Sequence, residues 1–181
     1  MEIWQPAYIG IGSNLADPRA QVLRAMDRIV SLREVRLVLR SGLYGSHPLG
    51  PLDQPDFVNA VAGVLTQLEP VALLRELRAI ERAFGRPETR EKWGPRILDL
   101  DLLVYGRLRC ADRELVLPHG GIVERNFVLY PLAEIAPDLE VPGLGRVAEL
   151  KARVSAEAIW PLTGAIDEGD PRGARSASEG S

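Results

Sequence analysis

From Leu98 to Val104 a large aliphatic residue recurs at every second position, and two of the positions between are aspartates, Asp99 and Asp101. An extended strand sends alternate side chains to opposite faces, so Leu98, Leu100, Leu102 and Val104 are expected in a core while both acids share the other face. Such a segment belongs in a sheet that is buried on one side only. Two carboxylates held that close repel each other, and a shared divalent cation, magnesium above all, relieves the repulsion. The residues leading into the strand, Lys92-Trp93-Gly94-Pro95-Arg96-Ile97, add a large ring, a backbone constrained by glycine and proline, and a guanidinium able to fork onto a phosphate. A solvated strand edge would account for the acids alone but not for this lead-in. Metal and arginine together point to phosphoryl chemistry.

The remainder of the chain must supply the sheet. Ala7 to Ile11 is an apolar run that breaks at Gly12-Ser13-Asn14, which reads as a buried strand ending in a turn. Gly10-Ile11-Gly12 lacks the third glycine of a dinucleotide fingerprint. Asp17-Pro18 supplies an N-cap and first-turn proline for a helix with Val22, Ala25, Met26 and Ile29 on its apolar face. Val35, Leu37 and Leu39 alternate with Arg36 and Arg40 as a second strand running towards Tyr44. After a long loop, 45–56, a third strand turns Val58, Ala60, Ala62 and Val64 to the core and leaves Phe57 and Asn59 on the opposite face. Glu69-Pro70 opens a second helix, lined by Val71, Leu74, Leu77, Ile80 and Phe84 and ended by Gly85.

The order strand, helix, strand, strand, helix, strand predicts an α+β fold: a ferredoxin-like split βαβ core, its antiparallel sheet carrying both helices on one face and the active site on the open face. Phe57, Asn59, Asp99 and Asp101 converge on that open face. Further on, Leu115-Val116-Leu117 is a short apolar run, and Glu124 to Ala136 reads as a helix in which Pro131 demands either a kink or a later start. One domain is expected over 1–162. Residues 163–181 have almost no large apolar side chain and are expected to form a disordered tail.

A net charge of −3 over 181 residues provides no basic field for nucleic acid, so an anionic substrate must be met by local arginines. The single cysteine, Cys110, excludes an intrachain disulfide and leaves no cysteine–histidine spacing for zinc. With neither a signal-peptide pattern nor a membrane-length apolar run, a cytoplasmic monomer is expected, one that binds no membrane.

The stretch from Lys92 to Leu103 resembles the signature of the 6-hydroxymethyl-7,8-dihydropterin pyrophosphokinases of folate biosynthesis, and the similarity extends from about Ala7 to about Pro161. The resemblance implies transfer of pyrophosphate from ATP to the hydroxymethyl oxygen of the dihydropterin, with release of AMP. It implies two Mg2+ ions on Asp99 and Asp101, with Arg96 catalytic beside them. It places ATP against Glu81, Arg86, Trp93, Arg96, His119 and Arg125, and the pterin against Pro48, Leu49, Gly50, Phe57, Asn59 and Phe127. By pattern alone Glu81 reads equally as the solvated edge of its helix, Arg86 as a charge on a helix C-terminus, Phe127 as core and His119 as loop surface. His47 is read as loop surface. Two departures from the family stand out: Glu88 stands in place of a second arginine, which leaves open whether Arg90 replaces that phosphate contact, and Gly120 replaces an aromatic or proline. The loops 45–56 and 86–96 are expected to close over ATP. Nucleotidyl transfer is the competing chemistry. A ferredoxin-like binding module is the non-enzymatic alternative, although an RNA-binding sheet would carry basic and aromatic residues where this one carries acids.

Overall fold

The computed structural model describes residues 3–50, 53–85 and 94–163. In chain order, the first half comprises β1 (Gln5–Ser13), α1 (Pro18–Val30), β2 (Val35–Arg40), β3 (Tyr44–Ser46), β4 (Phe57–Thr66) and α2 (Pro70–Ala83). The second half comprises β5 (Asp99–Tyr105), β6 (Cys110–Ala111), β7 (Val116–Leu117), α3 (Asn126–Ile135), β8 (Glu140–Val141), β9 (Gly145–Arg146), α4 (Val147–Ala152) and β10 (Ile159–Pro161). The main sheet is antiparallel in the order β10-β3-β4-β1-β5, with β2 continuing the β3 edge along the far half of β4. This is the expected split βαβ arrangement. β6 with β7 and β8 with β9 form two small separate ribbons.

Both helices of the βαβ units cover one face. Ile9, Ile11, Ala60, Ala62, Val64, Leu100 and Leu102 from the sheet pack with Val22, Ala25, Met26 and Ile29 of α1 and Leu73, Leu77 and Ile80 of α2. α1 starts where Asp17 accepts a hydrogen bond from the Ala20 N–H at 3.2 Å, with proline as its first residue. α2 runs into Gly85 at φ +91°, a conformation that ends helices and favours glycine. The opposite face is open only in part. α3 and α4 lie over Val61 and Leu103, burying Val128, Leu129, Leu132, Val147 and Leu150 in a second core. The acids and Asn59 occupy what these helices leave uncovered.

Three local expectations are corrected. Val104 does not share a face with Leu102. A register shift opposite Tyr8/Ile9 inserts Leu103 as an extra residue, and the strand parity reverses, so that Leu103 and Val104 join the second core and Tyr105 the first. A second shift between Leu37 and Leu39 turns Leu39 out to solvent at 40% exposure. The second strand also stops at Arg40 instead of running on to Tyr44. Ser41 N–H donates to the Val61 carbonyl at 2.9 Å, while Ser41 Oγ accepts from the Val61 N–H at 2.9 Å and donates to the Gly42 carbonyl at 2.7 Å. One side chain thus replaces a rung of the ladder between β2 and β3.

The helix starts later than expected: a 3-10 turn, Ile122–Glu124, precedes α3, which begins at Asn126, yet Pro131 still lies inside α3, where its position has no N–H to donate to the Phe127 carbonyl. The elements from β8 to β10 were not anticipated, being too short for periodicity to show. Of the expected tail, 163–181, all but Thr163 lies outside the described residues.

Replacing Ser41 with alanine leaves the buried Val61 N–H without its acceptor. It is expected to lower unfolding free energy by about 1–3 kcal/mol in a denaturant titration.

Candidate active site

β5 is an edge strand, so one row of its backbone groups has no strand partner. The Leu100 N–H, between the two acids, donates instead to Glu81 Oε1 of α2 at 2.7 Å. Glu81 is only 3% exposed and is therefore not a solvated helix edge. It is not among the residues that line the cleft with the acids. The burial of its carboxylate is offset by a hydrogen bond that holds Asp99 and Asp101 in register.

Each acid meets cations. Arg96 Nη1 forms a close ion pair with Asp99 Oδ2. Arg125 Nη1 lies 3.3 Å from Asp101 Oδ2, and His119 Nε2 lies 3.7 Å from Asp101 Oδ1. The His119 ring is oriented by its own loop, Nδ1 accepting from the Gly121 N–H at 3.1 Å, so the proton of the neutral ring sits on Nε2, towards the acid. Arg125 folds over Gly121, where a Cβ would come within 2.5 Å of its Nε. A larger residue there would displace the guanidinium. Asp101 has its pKa raised, first by burial and then by the charge of Asp99, against the opposing pull of His119, Arg125 and Arg96. Two guanidinium groups and the His119 imidazole thus fail to compensate fully for desolvation and a like charge.

Across the cleft, Asn59 is 5% exposed and donates through Nδ2 to Ser46 Oγ at 2.9 Å, with the Tyr44 carbonyl at 3.4 Å. Gly12 is paired with Asn59 on one side and Asp99 on the other, and a Cβ on it would meet Asn59 Oδ1 at 3.3 Å. The small residues Gly10 and Gly12 thus form a floor between the amide and the acids. Leu49, Gly50, Phe57, Asn59 and Phe127 line the same cleft as Arg96, Asp99, Asp101 and Arg125. Pro48 is buried and is not part of this lining. His119 borders a second cleft beyond Asp101, with Arg109 and Gly120. A side chain on Gly120 would meet only open space, so its departure from the family widens that cleft. Arg86, Glu88, Arg90 and Trp93 lie outside the described residues, as does most of the loop 86–96.

Two residues of the site escaped the sequence. Ser46 is one, hydrogen-bonded to Asn59 in the cleft wall. Asn14 is the other. It is 1% exposed, exchanges backbone and side-chain hydrogen bonds with Arg96 (N–H to carbonyl, 3.0 Å; Oδ1 from N–H, 2.7 Å), and donates through Nδ2 to Gln54 Oε1 and the Pro55 carbonyl, both at 3.0 Å. It therefore ties the loop 45–56 to the backbone of Arg96. A polar pair, Ser13-Asn14, directly after a buried strand was the available signal, but it reads equally as a turn.

Residues 8–137 match the family profile described as 7,8-dihydro-6-hydroxymethylpterin-pyrophosphokinase (HPPK). The chain belongs to the HPPK family. Curated 2-amino-4-hydroxy-6-hydroxymethyldihydropteridine pyrophosphokinases are similar over most of their length. The Pseudomonas aeruginosa protein is 48% identical over 161 residues (89% of this chain, 99% of that one). The Haemophilus influenzae protein is 47% identical over 144 residues (80% and 89%). Among solved structures, wild-type Plasmodium falciparum HPPK-DHPS matches with a TM-score of 0.66 at 13% identity, over 84% of this chain and 42% of that one. That likeness speaks for the fold alone, and this HPPK chain spans less than half of the longer protein.

The raised pKa of Asp101 in this HPPK chain has a consequence for stability. Folding favours its protonated form, so the penalty is absent well below the ordinary carboxyl value of 3.8 and complete above the raised one. Asp101→Asn should therefore melt at a higher temperature than the unsubstituted, metal-free protein at pH 7, with the gap narrowing as pH falls towards 4. A lower melting temperature at pH 7 would contradict it.

Proposed function

We propose that the cleft between the paired acids and the Asn59 wall is where this HPPK moves pyrophosphate from ATP to the hydroxymethyl group of 6-hydroxymethyl-7,8-dihydropterin, giving the pterin diphosphate and AMP in folate biosynthesis. One observation carries the assignment: Asp99 and Asp101 share a face with Arg96 and Arg125 paired to them, directly across a glycine floor from Phe57 and Asn59.

The donor set fits magnesium. Among the described residues no group of three or more His, Cys, Asp or Glu side chains forms a closed metal cage. Two carboxylates with room for phosphate oxygens are what Mg2+ uses in nucleotide sites, and the costly ionisation of Asp101 is what a cation would relieve. We assign two ions to Asp99 and Asp101. Bound there, magnesium would neutralise charge on the transferring phosphate oxygens.

The chain's own residues do the positioning. Arg96 and Arg125 are paired with carboxylates and would turn their donors to phosphate oxygens as ATP enters, with His119 beside them at the second cleft. Arg86 and Trp93 complete the proposed ATP contacts. Phe57 and Phe127 offer faces to the flat pterin, Asn59 its amide edge, and Leu49 and Gly50 the loop above it, with the buried Pro48 next to them in the chain. The hydroxymethyl oxygen then attacks the β-phosphorus, the bond from that phosphorus to the bridging oxygen of AMP breaks, and the hydroxyl proton is released. Placement and fixed charge supply the catalysis, as a loose phosphoryl transition state needs no strong base. We take the enzyme to be a cytoplasmic monomer: one chain supplies every proposed contact, and its single cysteine fits a reducing compartment. No helix among the described residues is long and apolar enough to cross a membrane.

Phosphorus NMR of protein, magnesium, ATP and the dihydropterin tests the reaction. AMP with a pterin diphosphate is the expected outcome, whereas ADP, or free pyrophosphate from nucleotidyl transfer, would overturn it. Asp99→Ala and Asp101→Ala should each lower turnover about 1,000-fold or more while far-UV circular dichroism stays unchanged. Near-normal turnover in both would remove the acids from the mechanism.

A further inference from the structure

His47 stands at a place where the fold leaves a gap. The ladder between β3 and β4 ends at the pair Ser46↔Phe57, so His47 and Asp56 are the next residues on either side, and Leu49, Gly50 and Gln54 between them line the cleft. No backbone pairing continues there. Instead His47 Nδ1 lies 2.8 Å from Asp56 Oδ1, closing the base of the loop side chain to side chain.

β10 reinforces the closure. The His47 N–H donates to the Ala158 carbonyl at 3.1 Å, and the imidazole meets the Trp160 ring edge-on, with centroids 5.0 Å apart and an interplanar angle of 62°. Trp160 in turn lies flat over Gly45, its register partner, where a Cβ would come within 2.3 Å of the indole. The indole can reach the imidazole only because residue 45 is glycine.

An exposed ion pair, here 56% and 53% solvent-accessible, adds little to global stability. Its position gives it a different use. Gln54 and Pro55 are already tied to Asn14, so fixing His47 to Asp56 anchors the other limb of the loop and removes ordering cost that a ligand would otherwise meet on binding. Ser46 and Phe57, which flank the clasp, line the cleft.

We propose that His47, gripped by Asp56 and Trp160, is a positioning residue that holds the two limbs 47–50 and 53–56 in their pterin-binding form. This rests on the seat assigned above to the pterin, between Phe57 and Asn59. His47, itself in the cleft lining, acts on the pterin half of the cleft and not on the phosphate half, because its contacts are Asp56, next to Phe57, and Ala158 and Trp160 at β10.

Steady-state kinetics of the full chain, varying each substrate separately, test this. His47→Ala should raise the KM for the pterin about five-fold and leave kcat and the KM for ATP within two-fold. Asp56→Ala should do the same, and the double variant should add little to either, since both remove one contact. His47→Gln, whose amide can still donate to Asp56, should recover part of the loss. Asn59→Ala serves as the reference for the pterin seat. If it raises the pterin KM while His47→Ala and Asp56→Ala do not, the clasp is wrong and the seat stands. If Asn59→Ala also leaves the pterin KM unchanged, the seat fails and takes the clasp with it. Parallel losses in both KM values and in melting temperature would reduce His47 to a structural role and overturn the proposal.

Discussion

Everything in this molecule answers to one electrostatic difficulty: two carboxylates held side by side on a strand that has no neighbour on its outer edge. The strand stays straight through that stretch because Glu81 reaches from α2 to the Leu100 N–H and stands in for the missing neighbour. Arg96, Arg125 and His119 then gather around the acids, each fixed by a further contact of its own: Asn14, the Gly121 backbone beneath Arg125, and the Gly121 N–H. The raised pKa of Asp101 shows that the difficulty is reduced and not removed. A protein that only needed to fold would place a neutral residue there, so the retained cost is best understood as reserved for a cationic ligand.

The two faces of the sheet divide the labour. The face under α1 and α2 is aliphatic throughout and sets the register of β1, β4 and β5. The other is split lengthwise, with α3 and α4 sealing Val61 and Leu103 while the neighbouring stretch holds glycines, an amide and acids. The cleft is therefore the unsealed remainder of a second core. Its rigidity comes from the sealed part.

Much of this was legible in the sequence, and the reason is parity. Aliphatic residues at alternate positions in 58–64 and 98–102 could face only one way, and that fixed Phe57, Asn59, Asp99 and Asp101 on the other side without knowledge of the fold. The caps of α1 and α2 were equally plain in Asp17-Pro18 and Gly85. What failed to show was whatever breaks a period. The extra residue at Leu103 and the shift before Leu39 leave the composition unchanged while reversing the faces. Ser41, Asn14, Ser46 and the His47–Asp56 pair were hidden for a related reason: a polar side chain that substitutes for backbone pairing looks, in one dimension, like any loop residue. Glu81 was the opposite case, a charge at a plausible helix surface that is buried because a strand edge needed an acceptor.

Trp160 covers Gly45 from a strand more than a hundred positions later in the chain. During synthesis, the sheet, both covering helices and the paired acids all emerge before the indole that rests on β3. The loop beside the cleft therefore gains this support last, after the rest of the framework has had the opportunity to assemble. A nascent chain that has not yet released β10 therefore holds the paired acids and the glycine floor while the loop beside the cleft still lacks the indole that frames it.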